Sequence, residues 1–279
     1  MGFSVAPLSD GKVAVGGVDF SGPLVSPAFA RLGADGVPDA TFGDGGYAPI
    51  ALGGVDGRVF SIAEHEGRLV GIGNGGPGFG LNALAMGVSP AGALDTSFHA
   101  PDGYHLYATN PDPSVSFAYM NVVHVRPDGS FYSCGAAFNP EGEANYDMFV
   151  QRYAPDGQLD PSFGEGGVVW LDVRGTSDGF PTSFNSCYGI AESPDGTIVL
   201  TGDTASGEFI DQANFVVARL LPDGSLDPSF GDGGVFQLDY GPLDRPNGLA
   251  MLPDGRVAIS GFSGNYEQNE LVVLVVRTD

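Results

Sequence analysis

An all-β chain is the class this sequence predicts, and three observations predict it. The apolar runs are short and bounded by clusters of Gly, Pro, Asp and Asn, the punctuation of strands and turns. Gly (45) and Pro (21) are abundant, yet hydrophobic residues make up 42% of the chain, so these residues separate strands and do not dilute a disordered polypeptide. Two phrases also recur along the whole length, about 56 to 67 residues apart, the mark of a repeat architecture.

The first phrase is "SDGKVAVGG" at 9, "HEGRLVGIG" at 65, "PDGSFYSCG" at 127, "PDGTIVLTG" at 194 and "PDGRVAISG" at 253. It reads as a tight turn, with Gly at positive φ and Asp bonding its own backbone, followed by a strand. A third strand follows, ending on an arginine in "FARLGADG", "VQRYAPDG", "VARLLPDG" and the terminal "LVVRTD"; one copy, "AMGVSPAG", has Gly87 there. The fourth copy shows all four strand signals: "YGIAES", "TIVLTG", "FVVARL" and "GVFQLDY". Four-stranded units of this length predict a β-propeller. Five copies fill one domain, with blades near 1–56, 57–112, 113–180, 181–243 and 244–279. The fifth stops at "VVRTD", so the expectation is 19 strands, with blade five three-stranded or completed from upstream.

The second phrase is "LDPSFGDGG" at 226, with relatives "LDPSFGEGG" at 159, "PDATFGDGG" at 38 and "LDTSFHAPDG" at 94. It reads as a structural turn between third and fourth strands. Asp227 is expected to accept the amide of Phe230. Pro228 starts the turn, Gly231 ends it left-handed, and Phe230 plugs between blades. Asp160, Pro161, Phe163 and Gly164 repeat the device, as do Asp39, Phe42 and Gly43. Arg31, Arg152, Arg219 and Arg277 are expected in register to pair with these aspartates. The rival reading is a calcium loop through Asp227 and Asp232; it lacks a dense ladder of alternating carboxylates.

These phrases as a set resemble the delta-60 repeat proteins, similar in layout to NHL-type propellers, over essentially the whole chain. The resemblance implies a propeller of exported bacterial proteins and brings no catalytic residues. Net charge is −23, which repels nucleic-acid phosphates and anionic lipid. No apolar run is long enough to span a membrane as a helix, and the start "MGFSVAPLSDG" has no leader-like pattern. Neither partner class, nucleic acid nor membrane, is expected.

Strand order places both repeated turns at one end of each blade and the long, dissimilar connections at the other. Variable loops on a rigid scaffold carry binding, so the loop end is the expected ligand face. Its candidates are Asn145, Tyr146, Asp178, Phe184, Tyr188, Asp211, Tyr240 and Tyr266. Aromatic rings beside carboxylates and amides suit a glycan, a peptide or a partner protein, with calcium as an aid. The first strands carry Ala6, Ala63, Ala191 and Ala250 where the third copy carries His124. An imidazole there, with Tyr119 and His105 nearby in sequence, makes a hydrolase or lyase at the axis the second reading, and a purely structural module the third. No zinc spacing, nucleophile elbow or phosphate loop occurs. Cys134 and Cys187 are expected at strand ends on neighbouring blades, where a disulfide is geometrically conceivable and would fit an exported protein.

Overall fold

The computed structural model describes residues 1–77, 81–109, 117–139, 146–173, 183–206, 212–264 and 269–277. Every regular element among them is a strand, and no helix is long and apolar enough to cross a membrane. The strands run as successive meanders. The first holds β1 (Gly2–Pro7), β2 (Val13–Asp19), β3 (Ser26–Leu32) and β4 (Tyr47–Pro49). The second holds β5 (Asp56–His65), β6 (Arg68–Gly76), β7 (Asn82–Val88) and β8 (Tyr104–Tyr107). The third comprises β9 (Ala118–Val125), β10 (Phe131–Phe138), β11 (Tyr146–Tyr153) and β12 (Val168–Leu171), and the fourth β13 (Ser183–Glu192), β14 (Ile198–Ser206), β15 (Gln212–Leu220) and β16 (Val235–Leu238). Last come β17 (Leu243–Met251), β18 (Val257–Gly264) and β19 (Asn269–Val276).

Two compact units emerge, Met1–Ser133 with Arg152–Asp160, and Cys134–Gln151 with Pro161–Asp279. In the first unit, β1–β4 and β5–β8 are separate antiparallel sheets in chain order. In the second, the meanders share one hydrogen-bonded sheet. A single parallel bridge, Tyr146↔Phe184, joins β11 to β13, and another, Ala213↔Leu243, joins β15 to β17. The separate sheets expected for every repeat are therefore not all distinct. The strands run on past the turn signals until neighbouring backbones meet.

The core of the first unit gathers Ala14, Phe29, Phe42, Ile50, Val59, Leu69, Leu84 and Met86. In the second unit, Val199, Val217, Phe230, Val257 and Ile259 pack together. Each large side chain so buried contributes about 1.5–3 kcal/mol. The phenylalanine of the acidic phrase is buried in all four copies, Phe42, Phe98, Phe163 and Phe230.

The acidic phrase is a turn, though its bonds differ from the expected cap. Asp227 Oδ1 accepts the Ser229 amide at 2.9 Å and its hydroxyl at 2.7 Å. The Phe230 amide goes instead to the Asp227 carbonyl, at 3.1 Å. This is an Asx turn, in which the carboxylate reaches two residues on. It repeats at Asp39 with Thr41 and at Asp95 with Ser97, so the hydroxyl residue of the phrase has a role of its own. Gly231 follows at φ 55°, where an added Cβ would strike the Val235 carbonyl.

The third-strand arginine completes the turn. Arg219 donates Nε to Asp227 Oδ2 at 2.9 Å and Nη2 to Ser229 at 2.7 Å, and its guanidinium lies 5.1 Å from the Phe230 ring centroid. Arg31 does the same with Asp39, Thr41 and Phe42, and its Nη1 also donates to the Pro90 carbonyl of the next repeat at 2.7 Å. Arg152 pairs with Asp160 at 2.9 Å. The main chain adds a second link, because Gly43 donates its amide to Ala91 and Gly164 to Asp223.

The second repeat solves the same problem differently. Gly87 stands at the arginine position, opposite Val70 as Arg31 stands opposite Ala14. A Cβ at Gly87 would lie 2.6 Å from Cβ of Phe98, so the phenylalanine occupies the vacated space. The cation comes from Arg68, at the start of β6, which bonds Asp95 at 2.7 Å, Ser97 at 3.0 Å and the Pro155 carbonyl at 2.9 Å. Lys12 is its counterpart in the first repeat and sits 3.0 Å from Asp39.

Register also corrects the last arginine. Val257 pairs with Val276 as Ile198 pairs with Leu220, so Val275, two residues before Arg277, occupies the position of Arg219. Arg277 is out of register with the phrase. Because, among the described residues, Asp39 is paired with two cations and Asp95 with one, Arg68→Ala is expected to lower the unfolding midpoint more than Lys12→Ala. Urea unfolding of both variants measures this, and equal losses would contradict the assignment.

Candidate functional site

The loop end of the second unit carries partly exposed aromatic rings on strand termini. Phe138 closes β10, Tyr146 opens β11 and Phe184 lies near the start of β13. The Tyr146 ring is 5.1 Å from Phe184 and 6.0 Å from Phe138. Their positions are tied by the backbone bridge at Tyr146↔Phe184. Beside them, Asn139 donates to the buried Asp147 at 2.7 Å.

Cys134 and Cys187 form a disulfide with Cα atoms 5.7 Å apart. Both are fully buried, and both lie inside β10 and β13 rather than at strand ends as expected. The bond therefore ties β10 of the third repeat to β13 of the fourth in mid-span. At Cys187 the β13–β14 register shifts by one residue, before Gly189.

A buried acid lies on the next strand. Asp203, opposite Ser186 on β14, is 1% exposed. Arg245 Nε, on β17, approaches its Oδ2 to 3.1 Å. Burial pushes the Asp203 carboxyl up to about 7, against the opposing pull of Arg245. Burial, and next the Asp203 charge, also raise the Tyr188 phenol above its ordinary value. The fully buried Asp244 holds the turn ahead of β17 through the amides of Tyr240 at 2.7 Å and Gly241 at 3.2 Å.

Of the expected ligand residues, Tyr146, Phe184 and Tyr188 lie on β11 and β13. Tyr240 is exposed in the turn before β17. Asn145, Asp178, Asp211 and Tyr266 lie outside the described residues. The expectation missed Phe138, Asp203 and Arg245. A signal existed for Asp203: its strand position is Val18, Ala136 and Phe262 in three repeats and the buried amide Asn74 in the second, so the carboxylate departs from a mostly apolar register.

The axis candidates do not converge. His124 stacks over Tyr132 at 6.5 Å, and the Arg126 guanidinium lies 5.8 Å from the same ring. Tyr119 is five residues away on β9, about 16 Å along an extended strand, and packs edge-on against Phe117 at 5.5 Å. His105 belongs to a different strand, β8. It stacks on His99 at 4.3 Å and meets Tyr153 edge-on at 6.2 Å. Burial, helped by the charge of His99, lowers His105 to about 4, so it is neutral near pH 7.

For calcium, Asp227 offers little. One oxygen is committed to Ser229 and the other to Arg219, and Asp232 closes a backbone turn with Val235. Among the described residues no group of three or more His, Cys, Asp or Glu is placed to hold a metal.

Asp203 has a pH signature whose sign follows from its raised value. The unfolded carboxyl titrates near ~3.9, so between there and about 7 the folded chain keeps a proton the unfolded chain has released. Its stabilising contribution is full below the unfolded value and is lost as pH rises through 7. Asp203→Asn should flatten the fall in Tm between pH 5 and 8, raising stability at pH 8 relative to wild type. An unchanged pH profile would contradict the placement.

Comparison with known proteins agrees with the repeat geometry. A family model described as a domain of unknown function (DUF5122), beta-propeller, matches residues 8–42, 135–163 and 193–230, about a third of the chain. Each matched segment ends on the phenylalanine of the acidic phrase: Phe42, Phe163 or Phe230. No curated protein matches. Among solved structures, a protein of unknown function from Dyadobacter fermentans is similar at 12% identity and TM-score 0.53, over 99% of this chain and 78% of that one. One of unknown function from Bacteroides caccae is similar at 13% and 0.48, over 98% and 77%. Sucrose-6-phosphate hydrolase from Lactobacillus gasseri is similar at 15% and 0.48, over 100% of this chain but 58% of that one. At these identities the first likeness speaks to fold alone and the other two carry no argument. The chain is all-β among its described residues, and three of its repeats are similar to the model of a β-propeller family.

Proposed function

We propose that this chain is a five-bladed propeller that binds a carbohydrate at its loop end without turning it over. The observation that carries this reading is the trio Phe138, Tyr146 and Phe184, partly exposed rings on neighbouring strand termini. Aromatic faces bury the apolar faces of a sugar at low conformational cost, and adjacent polar side chains satisfy its hydroxyls. Export is part of the proposal, supported by the Cys134–Cys187 bond, since disulfides persist in oxidising compartments. The charge of −23 disfavours an anionic ligand. A specific role for calcium, through loop carboxylates, belongs to the same proposal.

A hydrolase or lyase is the second reading, and Asp203 is the observation that favours it. A buried acid near neutrality beside a cation suits proton transfer, and it serves that reading better than His124, which stacks on Tyr132. The test is a glycan array probed with calcium and with chelator, using wild type and Tyr146→Ala/Phe184→Ala. Binding in the wild type, weakened at least about tenfold in the double variant, is expected. No binding in either arm would leave the structural-module reading standing.

A further inference from the structure

The first strands of four repeats share an irregularity. In β1, β5, β13 and β17 one extra residue, Phe3, Phe60, Tyr188 or Asn247, follows the residue paired with Gly17, Gly73, Gly202 or Gly261. Each of these glycines closes the first repeated phrase. A Cβ at Gly202 would strike the Ser186 carbonyl, and one at Gly261 the Arg245 carbonyl, so the first strand is pressed close and bulges just beyond. A bulge re-aims the side chain it inserts. In the first unit the bulge rings of Phe3 and Phe60 meet edge-on at 5.5 Å. In the second unit the same two positions hold a phenol and an amide, Tyr188 and Asn247. Their strands adjoin there, because a Cβ at Gly189 would lie 2.6 Å from Cβ of Leu249.

A charged pair stands beside this polar pair. The charges of Asp203 and Arg245 both act on the Tyr188 phenol, and Arg245 precedes Asn247 by two residues on β17. Arg245 Nε is 3.1 Å from Asp203 Oδ2, yet neither that nitrogen nor either Asp203 oxygen makes an aligned hydrogen bond. A guanidinium has five donors, and the Arg245 side chain stays 35% exposed. Among the described residues, the titratable and charged groups facing Asp203 are Tyr188 from β13 and Arg245 from β17, while β15 presents Phe215 opposite it. Asp244, beside Arg245 in the chain, is turned to the amides of Tyr240 and Gly241. The cluster is therefore rich in donors: a guanidinium, a phenol kept protonated by burial and by the Asp203 charge, and an exposed amide.

We propose that Tyr188, Arg245 and Asn247 form a site for a carboxylate anion, in which the ligand's carboxylate takes Arg245 from the buried Asp203. Guanidinium and carboxylate match in shape, two N–H groups to two oxygens. Two carboxylates sharing one guanidinium repel each other, so Asp203 takes up a proton as the ligand binds. Burial prepares it for this by raising its carboxyl to about 7. The charge of −23 acts over distance and is screened within about 8 Å at 0.15 M salt. It slows capture of an anion without deciding what the guanidinium meets in contact. The site lies four residues along β13 from Phe184, about 13 Å on an extended strand, and is separate from the aromatic rings of the carbohydrate reading.

The test follows the Arg245 Nε and Asn247 side-chain NMR signals of the full chain at about 0.15 M salt as propionate is added, with propionamide as the uncharged counterpart. Saturable shifts with propionate alone are expected. Arg245→Gln, read from Asn247, should weaken binding at least about tenfold. Asn247→Ala, at an exposed position, should weaken it by a smaller factor, and circular dichroism confirms that the variants fold. Ionised Asp203 reclaims Arg245 as pH rises, so wild-type affinity should fall between pH 6 and 8, by up to about tenfold per unit. Asp203→Asn should bind at pH 8 as tightly as the wild type does at pH 6. Equal shifts with propionamide, unchanged binding by Arg245→Gln, a pH-independent wild-type affinity, or no saturable shift in the folded wild type each overturn the proposal. Propionate has no sugar ring, so such a failure leaves the carbohydrate reading to its own test.

Discussion

One partly buried fork of hydrogen bonds recurs through this chain: a guanidinium on a third strand gripping an aspartate and a hydroxyl eight to ten residues further on. Arg219, Asp227 and Ser229 show it, and Arg31, Asp39 and Thr41 repeat it. Arginine suits the task because its planar donors point in fixed directions. Two of them hold the turn, and in Arg31 the third reaches the carbonyl of the next repeat. The aspartate is held well below the ordinary carboxylate range by its hydroxyl partner, then by the amide of that residue, with Arg219 adding to the effect at Asp227. A single side chain thus couples the shape of a turn to the stacking of its neighbour.

The repeats show that the interaction is kept while its residues change. Where Gly87 removes the arginine, Phe98 moves into the space and Arg68 supplies the charge from an adjacent strand. Where both sources exist, as Lys12 and Arg31, both reach the same aspartate. These carboxylates are partly buried, and each keeps a cation within hydrogen-bond distance. The drift between repeats therefore runs along the one route that preserves the pair.

Much of the architecture was legible because turns have strict residue demands. Asp-Gly pairs gave the hairpins: Asp195 bonds the Thr197 amide at 3.0 Å, and Gly196 sits at φ 84°. The register of Arg277 was misread because Val275 leaves no polar marker at the true position, so the next arginine attracted the alignment. The cysteines looked terminal because β10 and β13 run beyond their turn signals, a tertiary effect invisible in local sequence. The site was less legible still. Asp203 sits inside a strand rather than on a loop, and only its departure from Val18, Ala136 and Phe262 marks it, a weak mark because the second repeat also places a polar residue, Asn74, there. Its partner Arg245 comes from another repeat, and such a pairing exists only once the strands are laid side by side.

The account rests on the repeated aspartates serving as arginine anchors and not as ion ligands. A crystal structure grown with millimolar calcium, with anomalous data collected, tests this most directly. The predicted result is guanidinium density against Asp39, Asp160 and Asp227 and no anomalous peak at any of them. An ion coordinated by these carboxylates, with the arginines turned away, would contradict it.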